Sequence, residues 1–172
     1  MKAAASFASM PRRLLHVTER PAPDTLAAWR ALLAAHRRIT DALEEELRAA
    51  TGLNLARYDV LLQLSEAPAV SLRMTDLAEA VLLSKSGLTR LVDRMCGEGL
   101  IERSRDAADR RSLVVTLTPA GRRALRRAAP VHLRSIQQHF GAALSAEQTV
   151  QVLGILESLG RPRRRNAARS NA

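Results

Sequence analysis

The sequence predicts a mainly α-helical fold carrying one small β-hairpin, and three observations predict it. Only 2% of the 172 residues are aromatic, against 47% hydrophobic overall. The core must therefore be Leu, Val, Ile, Ala and Met, a mixture that favours helices over a sheet sandwich. Leu26, Trp29, Leu33, His36, Thr40, Leu43 and Leu47 recur at alternating spacings of 3 and 4, the seam of a long amphipathic helix. Finally, Leu113, Val115 and Leu117 alternate as a half-buried strand requires. The length suits one domain with room for a sizeable core.

Taken in chain order, residues 1–23 mix Ala, Ser, Pro and Arg without sustained periodicity and read as a flexible extension. Pro21 and Pro23 lead to Asp24, an N-cap for the seam helix, which should run over 24–52 and stop at Gly52. Asn54 caps a second helix closed by Pro68. Val70–Arg73 is too short for a helix and reads as a strand. Met74–Leu82 and the segment from Ser84 to about Glu98 are two short helices joined by a tight connection, with Gly99 as the stop. Leu100–Arg105 and Ser112–Thr118 then form two strands around the charged hairpin 106–111. Thr118-Pro119 opens another helix, with Pro130 as a potential kink. A capping box at Ser145–Gln148 opens the last, whose Val152, Leu153, Leu156 and Leu159 share a face. Helix, helix, turn, helix and a charged hairpin describe a winged helix-turn-helix over 53–118.

The charge is unevenly spread. Of a net +10, residues 1–84 contribute nothing, with 10 basic and 10 acidic side chains. Residues 85–127 hold 11 basic against 5 acidic, and the tail 161–172 holds five arginines and no acid. A basic block within a folded region is the footprint of a polyanion partner, although a solvated helix surface can look alike. The tail carries no fold signal and should be disordered.

Other classes find little support. The longest run without a charged side chain, Ser135–Ala146, has 12 residues, where a membrane span needs about 20. A lone cysteine, Cys96, rules out a disulfide framework and a Cys-rich zinc site. Its neighbours Asp93 and Glu98 would not activate the thiol. His16, His36, His132 and His139 are scattered, so no metal site is expected. P-loop, G-x-S-x-G, H-E-x-x-H and G-x-G-x-x-G motifs are missing, so neither an enzyme nor a cofactor is expected. Arg12 and Arg13 interrupt the apolar start, so no signal peptide is read and a cytoplasmic protein is expected.

The run "MTDLAEAVLLSKSGLTRLVDRMCGEGLIERSRDAADRRSLVVTLTPAGRRAL" resembles the MarR family of transcriptional regulators. Its "DLAE" helix, "SGLTRLVDRM…EGLIER" recognition segment, "DxxDRR" wing and "LTPAG" helix start occur in the family's order and spacing, and "LARYDVLLQL" resembles its second helix. The likeness covers roughly residues 24–160. It implies a homodimer whose helical dimerisation region comes from both chain ends, here 24–52 and 119–160, with two winged lobes on double-stranded DNA. A ligand-responsive repressor on a palindromic operator is the expected activity. A basic nucleic-acid-coating protein without sequence choice, suggested by the tail, is the alternative.

On the recognition helix, Leu88, Leu91, Val92 and Met95 make the buried stripe, and Ser86, Thr89, Arg90 and Arg94 the opposite face. Residues near a helix N-terminus reach base edges, while basic side chains hold phosphates. Ser86, Thr89 and Arg90 are therefore candidates for base readout, and Lys85 and Arg94 for phosphate. Gly87 departs from good helix-forming sequence. In the wing, Arg105, Arg110 and Arg111 flank a tip containing Asp106 and Asp109. The family pattern assigns one "DRR" arginine to the minor groove, here Arg110, with Asp109 and Arg111 shaping the wing; the reverse assignment of Arg110 and Arg111 stays open. A narrow minor groove concentrates negative potential and so attracts arginine. The family's effector cleft borders the first helix and often takes small aromatic or phenolic anions. Trp29 for stacking, Arg37 for a carboxylate, and His36 and Asp59 completing a polar set are the candidates. Against this, a Trp on such a stripe is more often a core residue, and Arg37 also fits a solvated surface charge.

Overall fold

In the computed structural model, residues 20–81, 85–106, 109 and 112–160 are described, the side chains of Lys85 and Ser86 excepted. Among the described residues, six α-helices and three strands follow one another: α1 (Pro23–Thr51), α2 (Leu55–Glu66), β1 (Ser71–Arg73), α3 (Met74–Ala80), α4 (Lys85–Gly97), β2 (Ile101–Arg105), β3 (Leu113–Leu117), α5 (Pro119–His139) and α6 (Ala146–Gly160). The chain divides into two compact units within α1, residues 1–37 and 38–172. The described part of the first unit carries Leu26, Trp29, Leu32 and Leu33 along α1, all exposed. Among the described residues, no helix is long and apolar enough to cross a membrane.

Local chemistry sets the element boundaries in the second unit. Gly52, at φ +76, ends α1 in the left-handed conformation that glycine adopts without strain. Asn54 caps α2 by accepting the Arg57 N–H at 2.9 Å, and the Glu44 carboxylate reaches over to accept the Leu55 N–H at 2.7 Å. Ser145 and Gln148 cap α6 reciprocally, Ser145 N–H to Gln148 Oε1 at 2.8 Å and Gln148 N–H to Ser145 Oγ at 3.2 Å. Strand β1 starts one residue later than its composition suggests, because Val70 sits at φ +58, outside the extended region. Helix α5 includes Pro130 within its span.

The strands form an antiparallel sheet in the order β1-β3-β2, with Arg105 opposite Leu113 and Ile101 opposite Leu117. Val115 and Leu117 are buried, whereas Leu113 is 40% exposed. The apolar alternation therefore stops where β3 runs out into the wing. One core gathers Leu47 of α1, Val60, Leu61 and Leu64 of α2, Leu77 of α3, the α4 stripe, Val115, and Ala124, Leu125 and Ala128 of α5. The packed lobe thus recruits residues on both sides of the segment 53–118. On the lobe's other flank, Glu46 of α1 accepts hydrogen bonds from the buried Ser135 hydroxyl and from His139 Nε2 of α5. The His139 and Ser135 contacts hold its carboxyl below the usual carboxylate range,. Helix α6 contributes no buried residue.

Candidate nucleic-acid interface

Helix α4 sorts its residues into two faces. Leu88, Leu91, Val92 and Met95 are buried, while Thr89, Arg90, Asp93 and Arg94 are exposed. Arg90 and Arg94, four residues apart, share one side of the helix. The structure thus brings Thr89, Arg90 and Arg94 together on an outward surface, as their spacing predicts. The helix closes on a double hydrogen bond, Leu100 N–H to Met95 O at 3.0 Å and Gly99 N–H to Cys96 O at 2.9 Å, with Gly99 at φ +70. That is a Schellman motif, and it turns the chain directly into β2. Cys96 is half-buried, and burial pushes its thiol pKa up, away from reactive character.

Three ion pairs brace this surface. Arg103 of β2 donates to Asp93 of α4 at 2.7 Å. Arg57 of α2 pairs with Glu98, just past the end of α4. Burial and the nearby Arg94 lower the Arg57 pKa from its ordinary value. Arg73 reaches across the sheet from β1, placing Nε and Nη2 each 2.9 Å from Asp106 Oδ2 at the end of β2. Beyond it, Ser112 O accepts the Asp106 N–H at 3.0 Å, and Ser112 Oγ donates to Asp109 Oδ2 at 2.7 Å. Pairs this exposed contribute about 0–1 kcal/mol each to stability, so their main effect is directional. They tie the recognition helix and the base of the wing to α2, β1 and each other.

They also change the meaning of the charge balance. Four of the five acids in the basic block are occupied within the fold, Asp93, Glu98 and Asp106 in ion pairs and Asp109 with Ser112. Arg90, Arg94 and Arg105 are exposed, and none of these three forms an ion pair among the described residues. Arg57, Arg73 and Arg103 were not singled out from the sequence. Their partners lie 41, 33 and 10 residues away, beyond any local pattern. Arg110 and Arg111, the side chains of Lys85 and Ser86, the Ser84 cap, and the tail 161–172 lie outside the described residues.

The effector candidates are divided between the units. Trp29, His36 and Arg37 lie on α1 in the first, all exposed, with Trp29 at 56%. Asp59 lies on α2 in the second, beside a group the sequence did not reveal. His132 of α5 lies tilted against the buried Tyr58 ring at a centroid distance of 4.4 Å, and its Nδ1 has no hydrogen-bond partner among the described residues. Burial lowers the His132 pKa against the opposing pull of Asp59, and raises that of Asp59 against the opposing pull of His132. Among the described residues, no three His, Cys, Asp or Glu side chains are grouped to hold a metal.

The His132 shift has a testable consequence. An unfolded chain binds this proton near the ordinary value of 6.5, and the folded chain only at lower pH. Between those values the unfolded state holds more protons, so stability falls as pH drops through the window. Urea midpoints for the native protein should decline below pH 6.5, and those of His132→Gln should decline less. Parallel profiles for the two proteins would contradict this.

Comparison with known proteins follows the same lines. A sequence profile described as MarR family matches residues 51–112. The transcriptional regulator HosA of Escherichia coli O127:H6 is 33% identical over 96 residues, which is 56% of this chain and 69% of HosA. The crystal structure of AbsC, a MarR family transcriptional regulator from Streptomyces coelicolor, superposes with a TM-score of 0.77 at 34% identity, covering 83% of this chain and 95% of AbsC. That of Sco3205, a MarR family transcriptional regulator from the same organism in complex with DNA, gives 0.78 at 28% identity, covering 84% and 91%.

Proposed function

The chain belongs to the MarR family of transcriptional regulators, and we propose that it acts as a homodimeric, sequence-specific repressor on a palindromic operator, released by a small aromatic or phenolic anion. The observation that supports this most directly is the outward face of α4. Thr89, Arg90 and Arg94 stand opposite a fully packed stripe, on a helix braced at its middle by Asp93–Arg103 and at its end by Glu98–Arg57. A helix so fixed can present a constant set of donors to the major groove. In this reading Ser86, Thr89 and Arg90 meet base edges, and Lys85 and Arg94 meet phosphates. Arg110 approaches the minor groove, Arg105 contributes to DNA binding beside it on the wing, and Asp109 and Arg111 shape the wing. Two lobes related by a two-fold axis would meet half-sites about 10–10.5 base pairs apart. Trp29, His36, Arg37 and Asp59 are assigned to the effector.

Selection of binding sites from a random duplex pool tests the specificity. A palindrome should emerge, whereas a pool enriched without any consensus would indicate a coating protein. With the selected site in hand, Arg90→Ala should lose about 1–3 kcal/mol of discrimination at particular base pairs, and Arg94→Ala should weaken all sequences alike. Relative site preferences unchanged in both variants would refute this placement of the readout face.

A further inference from the structure

We propose that Arg122, Arg123, Arg126 and Arg127 of α5 form a second phosphate-binding surface of the lobe, outside the recognition helix and the wing. The inference rests on the DNA-binding reading above and extends the contact to a helix that the family motifs do not assign to it. All four side chains are exposed, while Ala124 and Leu125 between them and Ala128 after them are buried in the core. The arginines therefore occupy the outer side of the helix by the same alternation that buries its inner side.

The arrangement opposes local helix electrostatics. Arg122 with Arg126, and Arg123 with Arg127, are like charges at i,i+4 spacing, which disfavours a helix. They begin at the end of the first turn, near the positive pole of the helix dipole, and that turn contains no acid,. No hydrogen bond or ion pair of these four side chains occurs among the described residues. Arg90, Arg94 and Arg105 on the proposed DNA face share this lack of an ion pair among the described residues, whereas Arg103 is matched to Asp93. A cluster that is locally unfavourable and unmatched within its own lobe is explained by a partner that supplies negative charge.

Duplex DNA is the partner the charges fit. Four guanidinium groups spread along about 7.5 Å of helix face a polymer with one negative charge per about 1.7 Å, and guanidinium groups bind phosphate oxygens in pairs. The surface is also held fixed relative to α4. The Thr118 hydroxyl at the start of α5 donates to the Gly99 and Leu100 carbonyls at 2.7 and 2.9 Å, directly after α4 ends. A second copy of the chain fits less well, because two of the central acids of its α1 are already engaged within the chain. Glu44 pairs with Arg48, and Glu46 with His139 and Ser135.

Salt titrations of the full chain test the proposal, using a random-sequence duplex and the duplex selected by the native protein. The variants are R122Q/R126Q, R123Q/R127Q, all four together, and the four lysine replacements. Each lost phosphate contact should lower the slope of log affinity against log salt by about 0.9, with similar fold losses on both duplexes and no change of consensus. The lysine variant should keep the native slope. Thermal midpoints of the glutamine variants should be unchanged or higher, since repulsive pairs are removed, which separates lost contact from lost folding. A native slope retained by the quadruple glutamine variant overturns this inference alone. So does an unchanged slope accompanied by an altered dimer mass, which would assign the arginines to a second copy. A native protein without salt-dependent DNA affinity overturns the DNA-binding reading together with this one.

Discussion

Replacing Leu153 and Leu156 together by aspartate is expected to take the proposed dimer apart while leaving the lobe folded. Helix α6 adds no side chain to the buried core, yet Val150, Leu153, Ile155, Leu156 and Leu159 are between 43% and 70% exposed. A monomeric soluble protein rarely leaves so contiguous an apolar face in water, and stable interfaces remove about 1,200–2,000 Å² from solvent. Two carboxylates placed in such a face would lose their hydration on association, without a partner charge in compensation. The consequence for DNA follows from linkage of the two lobes. Separated lobes each bind one half-site, and losing the second, intramolecular contact should weaken palindrome binding by about 10²–10⁴-fold. Sedimentation should show the monomer mass, circular dichroism a preserved helical signal, and half-site binding little change. A monomeric variant that still holds the palindrome with native affinity would remove dimerisation from the mechanism.

What could be read in advance depended on whether the determining contact was local. Asn54, Thr118 and Ser145 cap the helices their sequences announce, and Gly52 and Gly99 stop the helices before them, because each acts within about five residues. The two faces of α4 follow from helical periodicity alone. Leu113, at the outer end of β3, is exposed where the alternation predicts burial. The long-range pairs had no such signal. Arg73 and Asp106 meet only because the sheet order β1-β3-β2 puts the end of β2 within reach of β1. Glu46, Ser135 and His139 meet because α1 and α5 lie together across some 90 residues of chain. The sequence marks Asp106 and Glu98 as charges in a basic stretch, but not as the anchors that orient it. Of the residues proposed to meet DNA, Thr89, Arg90 and Arg94 lie exposed on α4 and Arg105 on β2. For the effector set, it is the residue chemistry of Trp29, His36, Arg37 and Asp59 that is legible.

The second large effect is expected at Gly121, where the sequence alone suggests the opposite outcome. By helix propensity, alanine in α5 should stabilise the chain by about 1 kcal/mol over glycine. The fold forbids it. A Cβ on Gly121 would lie 2.1 Å from the Leu100 carbonyl oxygen and 2.7 Å from Leu117 Cδ1. Leu117 can turn away, but the carbonyl is backbone, held by the Thr118 N–H at 3.2 Å and the Thr118 hydroxyl at 2.9 Å. The only relief is to lift α5 from the corner where α4 turns into β2, which strains or breaks the Thr118 cap, itself worth about 1 kcal/mol. Overpacking of this kind costs about 1–3 kcal/mol, so Gly121→Ala should be destabilised by about 2–3 kcal/mol. Because Leu100 also closes the end of α4, the same shift should loosen the recognition helix and lower DNA affinity. Gly97→Ala is the matched control. Its Cβ would meet nothing within 4 Å, so the intrinsic gain of alanine should appear there unopposed. Urea unfolding of the two variants beside the native protein decides the matter. A Gly121→Ala protein as stable as the native one would mean that α5 is not seated on the Leu100 carbonyl, and that the corner joining recognition helix, wing and α5 is looser than the contacts at Thr118 imply.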